Sequence, residues 1–313
     1  MKLEEIKARK GARRMAEIPK DVLAALNRGL VPTANLVEFL AIDMAVLVEN
    51  ALAECKAGAL AKPVVQRARD VASLGVMTRL AEIGKALGQA IREDEKTGRR
   101  VFSAFAEHPS DLVREFAVYT YLGRDDLGID GLLAAMRPFA ADPHFGVREC
   151  AWFAGRDAVI RDLDRSLRAL ARWAEDADPN IRRFASEITR PRGVWCAQID
   201  ALKRDPTPGL IVLEPLKGDP SKYVQDSVGN WINDASKSAA AWAEALCKRW
   251  GKESPTSATA RIVMRGLRTL VKKAESTAKP AVKRTAAKAR SKTTNRSAPK
   301  GRTRKPARRS ASR

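Results

Sequence analysis

Apolar residues recur at helical spacing through most of the chain. The segment 34–55 and the segment 71–91 both show this spacing, and a shorter helix over Asp21–Arg28 is expected to be closed by Gly29. Turn-forming residues interrupt the pattern at short intervals, and the alternation typical of β-strands is missing from it. The pattern therefore predicts an all-α protein.

The turns belong to an internal repeat. The stretch that starts with His108-Pro-Ser-Asp-Leu-Val-Arg-Glu-Phe-Ala matches the one that starts at Asp142, with a shorter copy at Asp178 and a degenerate copy at Asp219. The corresponding apolar residues are 34, 34 and 43 positions apart: Val113, Val147, Ile181 and Val224. A helical repeat of this period is typical of a solenoid in which each unit stacks on its neighbours. We predict a HEAT-like α-α superhelix.

Helical geometry indicates which side chains of each repeat leave the core. The apolar residue and the residue four places on, such as Val113 and Ala117, should share a buried stripe. The residue two places on is turned by about 200° and should point away from the core, on the concave side. These residues are Glu115, Glu149, Arg183 and Asp226, followed one turn later by Tyr119, Phe153, Glu187 and Asn230, with Trp152 alongside. From the pattern, the face is either functional or simply solvated, with its acids paired to Arg148 or Arg182.

Composition excludes several classes of protein. The 313 residues are 45% hydrophobic and include neither a signal peptide nor an apolar run of membrane-spanning length, so we expect a cytoplasmic protein without membrane contact. Four scattered cysteines and two histidines beside prolines, His108 and His144, predict turn histidines and no metal site. Motifs for phosphate loops, dinucleotide binding or a Ser-His-Asp triad are missing. A monomer is expected.

The net charge of +21 is concentrated at the C-terminus. Residues 272–313 carry +15, and the preceding residues carry +6. Because this tail has no Leu, Ile, Phe, Tyr or Trp, we predict that it is disordered and that the folded domain spans residues 1–271. Basic residues interleaved with Ala, Pro, Ser and Thr favour non-specific binding to nucleic acid, and hence association with the nucleoid. A tail that only increases solubility is the alternative.

Four stretches carry a resemblance to a known family. They are GARRMAEIP (11–19), NLVEFLAID (35–43), SEITRPRGVW (186–195) and SVGNWINDASK (227–237). Together they resemble the AlkC/AlkD family of HEAT-like bacterial DNA glycosylases, and AlkC-type members more closely. Some of those members carry an immunoglobulin-like domain after the repeats. Residues 272–313 do not fit such a domain, so the basic tail is expected to supply DNA affinity in its place.

The resemblance implies a base-excision-repair enzyme without a cofactor that hydrolyses the N-glycosidic bond of cationic alkylated bases, such as 3-methyladenine, in double-stranded DNA. A carboxylate would stabilise the oxocarbenium-like sugar, with Glu149 the first candidate, Glu115 the second and Asp226 the third. The ring face of Trp152 would hold the cationic base or the sugar. Tyr119 would act likewise, unless it packs in the core.

The resemblance also suggests residues that contact the DNA backbone. Arg190 and Arg192, with Trp195 nearby, would bind phosphate, although a charge pair at a helix end is the alternative. Arg183 and Lys237 are further phosphate candidates. Two other functions stay open: a non-catalytic HEAT-repeat scaffold that binds nucleic acid or protein, and a nucleoid protein that acts through its tail.

Overall fold

The computed structural model describes residues 2–193 and 196–278. Within these ranges the chain forms α-helices and short 3₁₀ turns but no β-strand, which confirms the predicted all-α fold. None of the described helices is both long and apolar enough to span a bilayer. The helices are α1 (Leu3–Lys7), α2 (Lys20–Asn27), α3 (Leu36–Ala41), α4 (Met44–Glu54), α5 (Ala61–Asp70), α6 (Val76–Glu93), α7 (Glu95–Ala106), α8 (Asp111–Tyr119), α9 (Gly128–Ala140), α10 (Phe145–Arg161), α11 (Leu163–Trp173), α12 (Pro179–Ile188), α13 (Asp200–Arg204), α14 (Leu210–Leu213), α15 (Lys222–Ser236), α16 (Ala240–Glu253) and α17 (Ser257–Ala278).

The chain divides into two units, Met1–Thr269 and Leu270–Arg313. The first unit contains the repeats. The second unit begins within α17, which continues to Ala278, beyond the position where the basic tail was predicted to start. Residues 279–313, which make up most of that predicted tail, lie outside the described part of the chain.

The repeat motif forms the second helix of each successive pair: α8, α10, α12 and α15. Each of these helices packs on the next, α8 on α10, α10 on α12 and α12 on α15. The predicted apolar pairs are buried in every repeat, with exposures of 0 or 1%. Because each pair is one helical turn apart, it forms a stripe that faces the preceding helices. The helical repeat is therefore present as predicted.

The arginine of each motif ties its helix to a turn. Arg114 donates to a carbonyl oxygen of its own turn at 2.6 Å and pairs with Asp142 of the next turn at 2.7 Å. Arg182 pairs in the same way with Asp219 at 2.6 Å. Arg148 binds carbonyl oxygens of its turn at 2.6 and 2.9 Å, but its remaining donor turns to a tyrosine instead of an aspartate. The series of arginine–aspartate pairs that joins neighbouring turns is therefore interrupted at Arg148, which contacts a tyrosine instead.

Two predicted helices near the N-terminus have different bounds. The segment 34–55 forms α3 and α4 rather than one helix, because the Asp43 side chain accepts from the backbone N–H groups of Ala45 and Val46 and starts a new helix. The segment 71–91 becomes helical only at Val76. Helix α2 is closed by Gly29 as predicted, with a φ of 73° that suits glycine at a helix end.

The segment that leads into α3 is fixed against the repeats. Arg9 forms a buried ion pair with Glu38 at 2.6 Å, and Glu38 also accepts from the backbone N–H of Ala34 at 2.7 Å. Thr33 donates from its backbone N–H and its hydroxyl to Asp111 of α8, at 2.9 and 2.6 Å. These bonds place the N-terminal segment beside the second helices of the repeats.

Candidate active site

A pocket of about 530 Å³ lies against the second helices of the repeats. The segment at Thr33 and helix α3 contribute to one side, and α17 contributes Arg265. The side chains predicted to leave the core in each repeat, Glu115, Glu149, Arg183 and Asp226, all line it. Its other lining residues include Leu36, Phe39, Asp111, His144, Phe145, Trp152, Phe153, Glu187, Arg190, Tyr223 and Asn230.

Glu149 presents a fixed carboxylate to this pocket. Its Oε2 accepts a hydrogen bond from the indole N–H of Trp152 at 2.9 Å, and its Oε1 lies 2.6 Å from a guanidinium nitrogen of Arg183. About a third of the Glu149 side chain, 35%, stays exposed. Each carboxylate oxygen has two acceptor sites, so Glu149 keeps acceptor capacity on the pocket side.

The Tyr223 ring and the Glu149 carboxylate both contact the guanidinium of Arg183 and orient it. Its guanidinium carbon lies 4.3 Å from the centroid of the Tyr223 ring, and that of Arg148 lies 5.2 Å from the same centroid. The Tyr223 hydroxyl accepts from Arg148 at 3.3 Å. The Arg183 side chain is only 11% exposed. Arg183 therefore serves mainly to hold Glu149, and little of it is left for a phosphate.

A buried chain of alternating charges continues from Arg183. Glu187 lies 3.6 Å from Arg183 and 2.6 Å from Arg190, and Arg190 pairs in turn with Asp234 at 2.7 Å. Burial opposes ionisation of Glu187, but the guanidinium groups of Arg183 and Arg190 outweigh it and hold its pKa below the usual value. Arg190 was predicted to bind phosphate. Its guanidinium N–H groups donate instead to these two carboxylates.

Glu115 was predicted to point away from the core, and its environment corrects that prediction in part. The side chain lines the pocket, yet it is fully buried, with 0% exposure. Burial, helped by the nearby carboxylate of Asp111, raises the pKa of Glu115 well above its usual value. The residue forms part of the pocket floor rather than an open concave surface.

Asp226 lines the same pocket as Glu115. It pairs with Arg261 at 2.7 Å and with Arg265 at 3.2 Å, both from α17. These two guanidinium groups neutralise its charge, so Asp226 is less suited than Glu149 to meet a cation.

The two aromatic candidates have different positions. Trp152 lines the pocket and stacks on Phe153, with ring centroids 4.1 Å apart and planes at 22°. Tyr119 is buried under α6, where a Cβ on Gly84 would come within 2.2 Å of the Tyr119 Cβ. Burial raises the pKa of Tyr119 well above its usual value, and its neighbour is the Cys150 thiol. Tyr119 thus packs in the core, the alternative that its sequence position left open.

Comparison with known proteins was made on sequence and on fold. No protein-family model matches the chain. The uncharacterized protein YhaZ of Bacillus subtilis (strain 168) is 38% identical over 123 residues, which cover 39% of this chain and 34% of that protein. A structure of Pseudomonas fluorescens alkylpurine DNA glycosylase AlkC, bound to DNA containing an abasic site analog, superposes with a TM-score of 0.60 and 27% identity.

This chain is similar in fold and sequence to the AlkC-type DNA glycosylase over the superposed residues. The superposition covers 72% of the present chain and 62% of the AlkC chain, so the chain spans about a third of the sequence relative and less than two thirds of the solved structure. The likeness confirms the resemblance to AlkC-type proteins that the four sequence stretches indicated.

Two of the predicted DNA contacts, Arg192 and Lys237, lie apart from the pocket lining. Arg192 is half-buried and donates to the backbone oxygen of Asp234 at 3.3 Å. Lys237 pairs with the carboxylate of the same Asp234 at 2.8 Å and is 38% exposed. Trp195 falls outside the described residues.

Several residues that line the pocket were not predicted as site residues. Asp111 precedes Glu115 by one helical turn, a spacing that places both on one face and was readable from the sequence. His144 was predicted as a turn residue, and it does cap α10 by accepting from the backbone N–H of Gly146 at 3.2 Å. Tyr223 precedes the buried Val224 of the fourth motif. Arg265 comes from outside the repeats, and no sequence signal pointed to it.

Proposed function

We propose that the chain is a DNA glycosylase that excises cationic alkylated bases of the 3-methyladenine type from double-stranded DNA, with Glu149 as the carboxylate nearest the reacting sugar. The observation that carries this proposal is the half-buried, doubly anchored carboxylate of Glu149 in an aromatic-walled pocket. The structural likeness to AlkC supports it, because that protein is named an alkylpurine DNA glycosylase.

The chemistry needs little from the protein besides charge and position. A purine alkylated on a ring nitrogen is already a cationic leaving group, so its departure requires little acid catalysis. As the N-glycosidic bond breaks, positive charge develops on the sugar, and a fixed carboxylate stabilises that charge more than it stabilises the substrate. The same carboxylate orients the water that attacks the sugar carbon, as carboxylates do at glycosidic centres.

The balance of charge in the pocket favours a cationic guest. Its described lining contains five carboxylates and three guanidinium groups. Arg183 and Arg190 are already paired with carboxylates, and Asp226 is paired with Arg261. Glu115 has no exposed surface to bring against a sugar, so Glu149 is the carboxylate that we assign to charge stabilisation.

The buried Trp152 acts on Glu149 rather than on the base in this proposal. Its indole N–H holds the Glu149 carboxylate in one orientation, and Arg183 holds the other oxygen. Binding to the duplex would then depend on basic groups outside the pocket. Lys237 and Arg192 are candidates near its edge, and the basic residues 279–313 are the largest source of positive charge. We expect one chain to act alone.

Base release from alkylated DNA tests the proposal. Duplex DNA carrying methylated purines is incubated with excess protein, and freed 3-methyladenine is measured over time in a single turnover. The wild-type chain should release the base and leave an abasic site. The Glu149→Gln variant keeps the shape of the side chain but loses the charge and one of the two anchors, because an amide nitrogen cannot accept a hydrogen bond. Its rate should fall about 100-fold or more while DNA affinity is kept.

The matched control is Glu175→Gln, which removes one carboxylate from an exposed position after α11. It should release the base at the wild-type rate. A wild-type chain that binds duplex but frees no alkylated base would refute the glycosylase activity. A Glu149→Gln variant as fast as the control would refute only the role given to that carboxylate.

A further inference from the structure

The floor of the pocket collects two carboxylates and an imidazole. Asp111 and Glu115 lie one turn apart on α8, and His144 is the residue that caps α10. Each of the three offers one ligand atom, and these atoms lie within 4.8 Å of one another. The two carboxylates are fully buried. Three such groups within one small volume suit a cation, provided that a second observation supports the site.

The second observation is the state of the Glu115 carboxylate. Both of its oxygens are buried and have no hydrogen-bond partner among the described residues. The thiol of Cys150 lies beside this carboxylate and is a weak donor at best. Buried polar atoms nearly always have a partner, so an unpaired carboxylate facing a pocket points to a missing one.

Glycine at position 146 allows the Glu115 carboxylate and the His144 ring to approach the start of α10 together. A Cβ built on Gly146 would lie 2.6 Å from Glu115 Oε1 and 3.2 Å from His144 Nδ1. A carboxylate oxygen and an imidazole nitrogen therefore lie close to the same backbone position. Any larger residue there would place an apolar carbon against both of them.

The protonation of His144 leaves its second nitrogen available. Its Nε2 lies 3.0 Å from the backbone oxygen of Thr33, which can only accept, so Nε2 carries the proton. The lone pair of Nδ1 then faces Asp111 Oδ2 at 3.3 Å. Two ligands that are about 2.0–2.1 Å from a tetrahedral metal lie roughly 3.3 Å apart, so this spacing fits.

The surrounding hydrogen bonds resemble the outer shell of a metal site. Thr33 holds the Asp111 carboxylate with two donors, and its carbonyl orients the His144 ring. Such outer contacts fix the ligands of bound metals. The backbone N–H of Gly146 now shares Nδ1 at 3.2 Å, and a bound ion would take its place.

We propose that Asp111, Glu115 and His144 bind one divalent transition-metal cation at the floor of the pocket. Two carboxylates and a neutral imidazole make a ligand set of charge −2, which one such ion neutralises. The mixture of nitrogen and oxygen ligands suits Zn²⁺ or Mn²⁺ better than Ca²⁺ or Mg²⁺. Three protein ligands leave a position open toward the pocket. The proposal stands whether or not the chain excises bases, and it replaces the expectation of no metal site.

Binding of Mn²⁺ alone tests the site, because Mn²⁺ has little affinity for the free cysteines. The full chain is dialysed against EDTA and titrated with Mn²⁺, and bound metal is measured by electron paramagnetic resonance. We expect one saturable ion per chain. The His144→Asn, Glu115→Gln and Gly146→Ala variants should each bind at least ~10-fold more weakly, since outer-shell changes alone reach that size.

The control is His108→Asn, which removes the chain's other histidine and should leave Mn²⁺ affinity unchanged. Circular dichroism establishes that each variant is folded before titration, and Glu115→Gln is the most conservative of the three in shape. Added Mn²⁺ should also raise the melting temperature of the wild type but not that of Glu115→Gln. The proposal is overturned if the wild type binds no stoichiometric Mn²⁺, or if the His108 and His144 variants lose affinity equally.

Discussion

Replacing Glu187 with glutamine tests whether the buried charge network supports the site. Glu187 connects α12 to α15, because its Oε2 accepts from the Ser227 hydroxyl at 2.6 Å while its Oε1 accepts from Arg190 at 2.6 Å. Its side chain is 5% exposed and that of Arg190 is 11% exposed, so water screens the pair little. Glutamine preserves the shape of the side chain and removes its charge.

The magnitude follows from the number of contacts that lose a charge. Removing one member of a buried ion pair typically costs about 3–5 kcal/mol, because the remaining charge stays buried without compensation. In this network Arg190 retains Asp234 and Arg183 retains Glu149. The loss for Glu187→Gln should therefore fall at the lower end, near 3 kcal/mol of unfolding free energy.

Urea denaturation followed by circular dichroism measures this loss. The control is Glu95→Gln, which breaks an exposed pair with Arg99 one turn away, where both side chains are more than two thirds exposed. Such a pair contributes about 0.3–0.5 kcal/mol. If the unfolding free energy of Glu187→Gln lies within about 1 kcal/mol of the wild-type value, at an unchanged m-value, the network contributes little to stability. The reasoning from buried charge then fails.

Two further predictions concern salt and pH. Deleting residues 279–313 leaves α17 intact but removes 14 basic residues and no acid. Affinity for duplex DNA should therefore fall and depend less steeply on salt concentration. Equal slopes of affinity against salt concentration for the full chain and the shortened chain would contradict this. Burial lowers the pKa of His108 below 6.5, so the unfolded chain takes up a proton first as the pH falls. Stability should therefore decline from about pH 6.5 downward. Unfolding free energies at two pH values should differ less for His108→Asn than for the wild type, and an equal difference would count against this linkage.

The repeat and its buried stripe were predictable because they depend on local periodicity. The 34-residue spacing gave the second helices, and the pairs headed by Val113, Val147, Ile181 and Val224 are all buried. The split between α3 and α4 was missed because a single cap at Asp43 overrides an apolar pattern that continues across it. Periodicity reports which face is apolar, but not where a helix is interrupted.

The pocket was predictable only in part, because its other side comes from elsewhere in the chain. The side chain two places after the buried apolar residue of each repeat was predicted to leave the core. These four side chains all line one pocket: Glu115, Glu149, Arg183 and Asp226. That prediction did not reveal that Thr33 donates to Asp111, one turn before Glu115, or that α17 supplies arginines to Asp226. Those contacts join residues far apart in sequence, and helical geometry within one repeat carries no information about them.

The site also depends on Arg148, where the series of arginine–aspartate pairs between turns is interrupted. Arg114 and Arg182 use their free donors on the aspartate of the next turn, whereas Arg148 contacts the Tyr223 ring. The same ring supports Arg183, which is thereby held against Glu149. Had Arg148 found an aspartate as its neighbours do, Tyr223 would lose one of the two cations that fix it. An exception to the repeat thus orients the carboxylate to which we assign the chemistry.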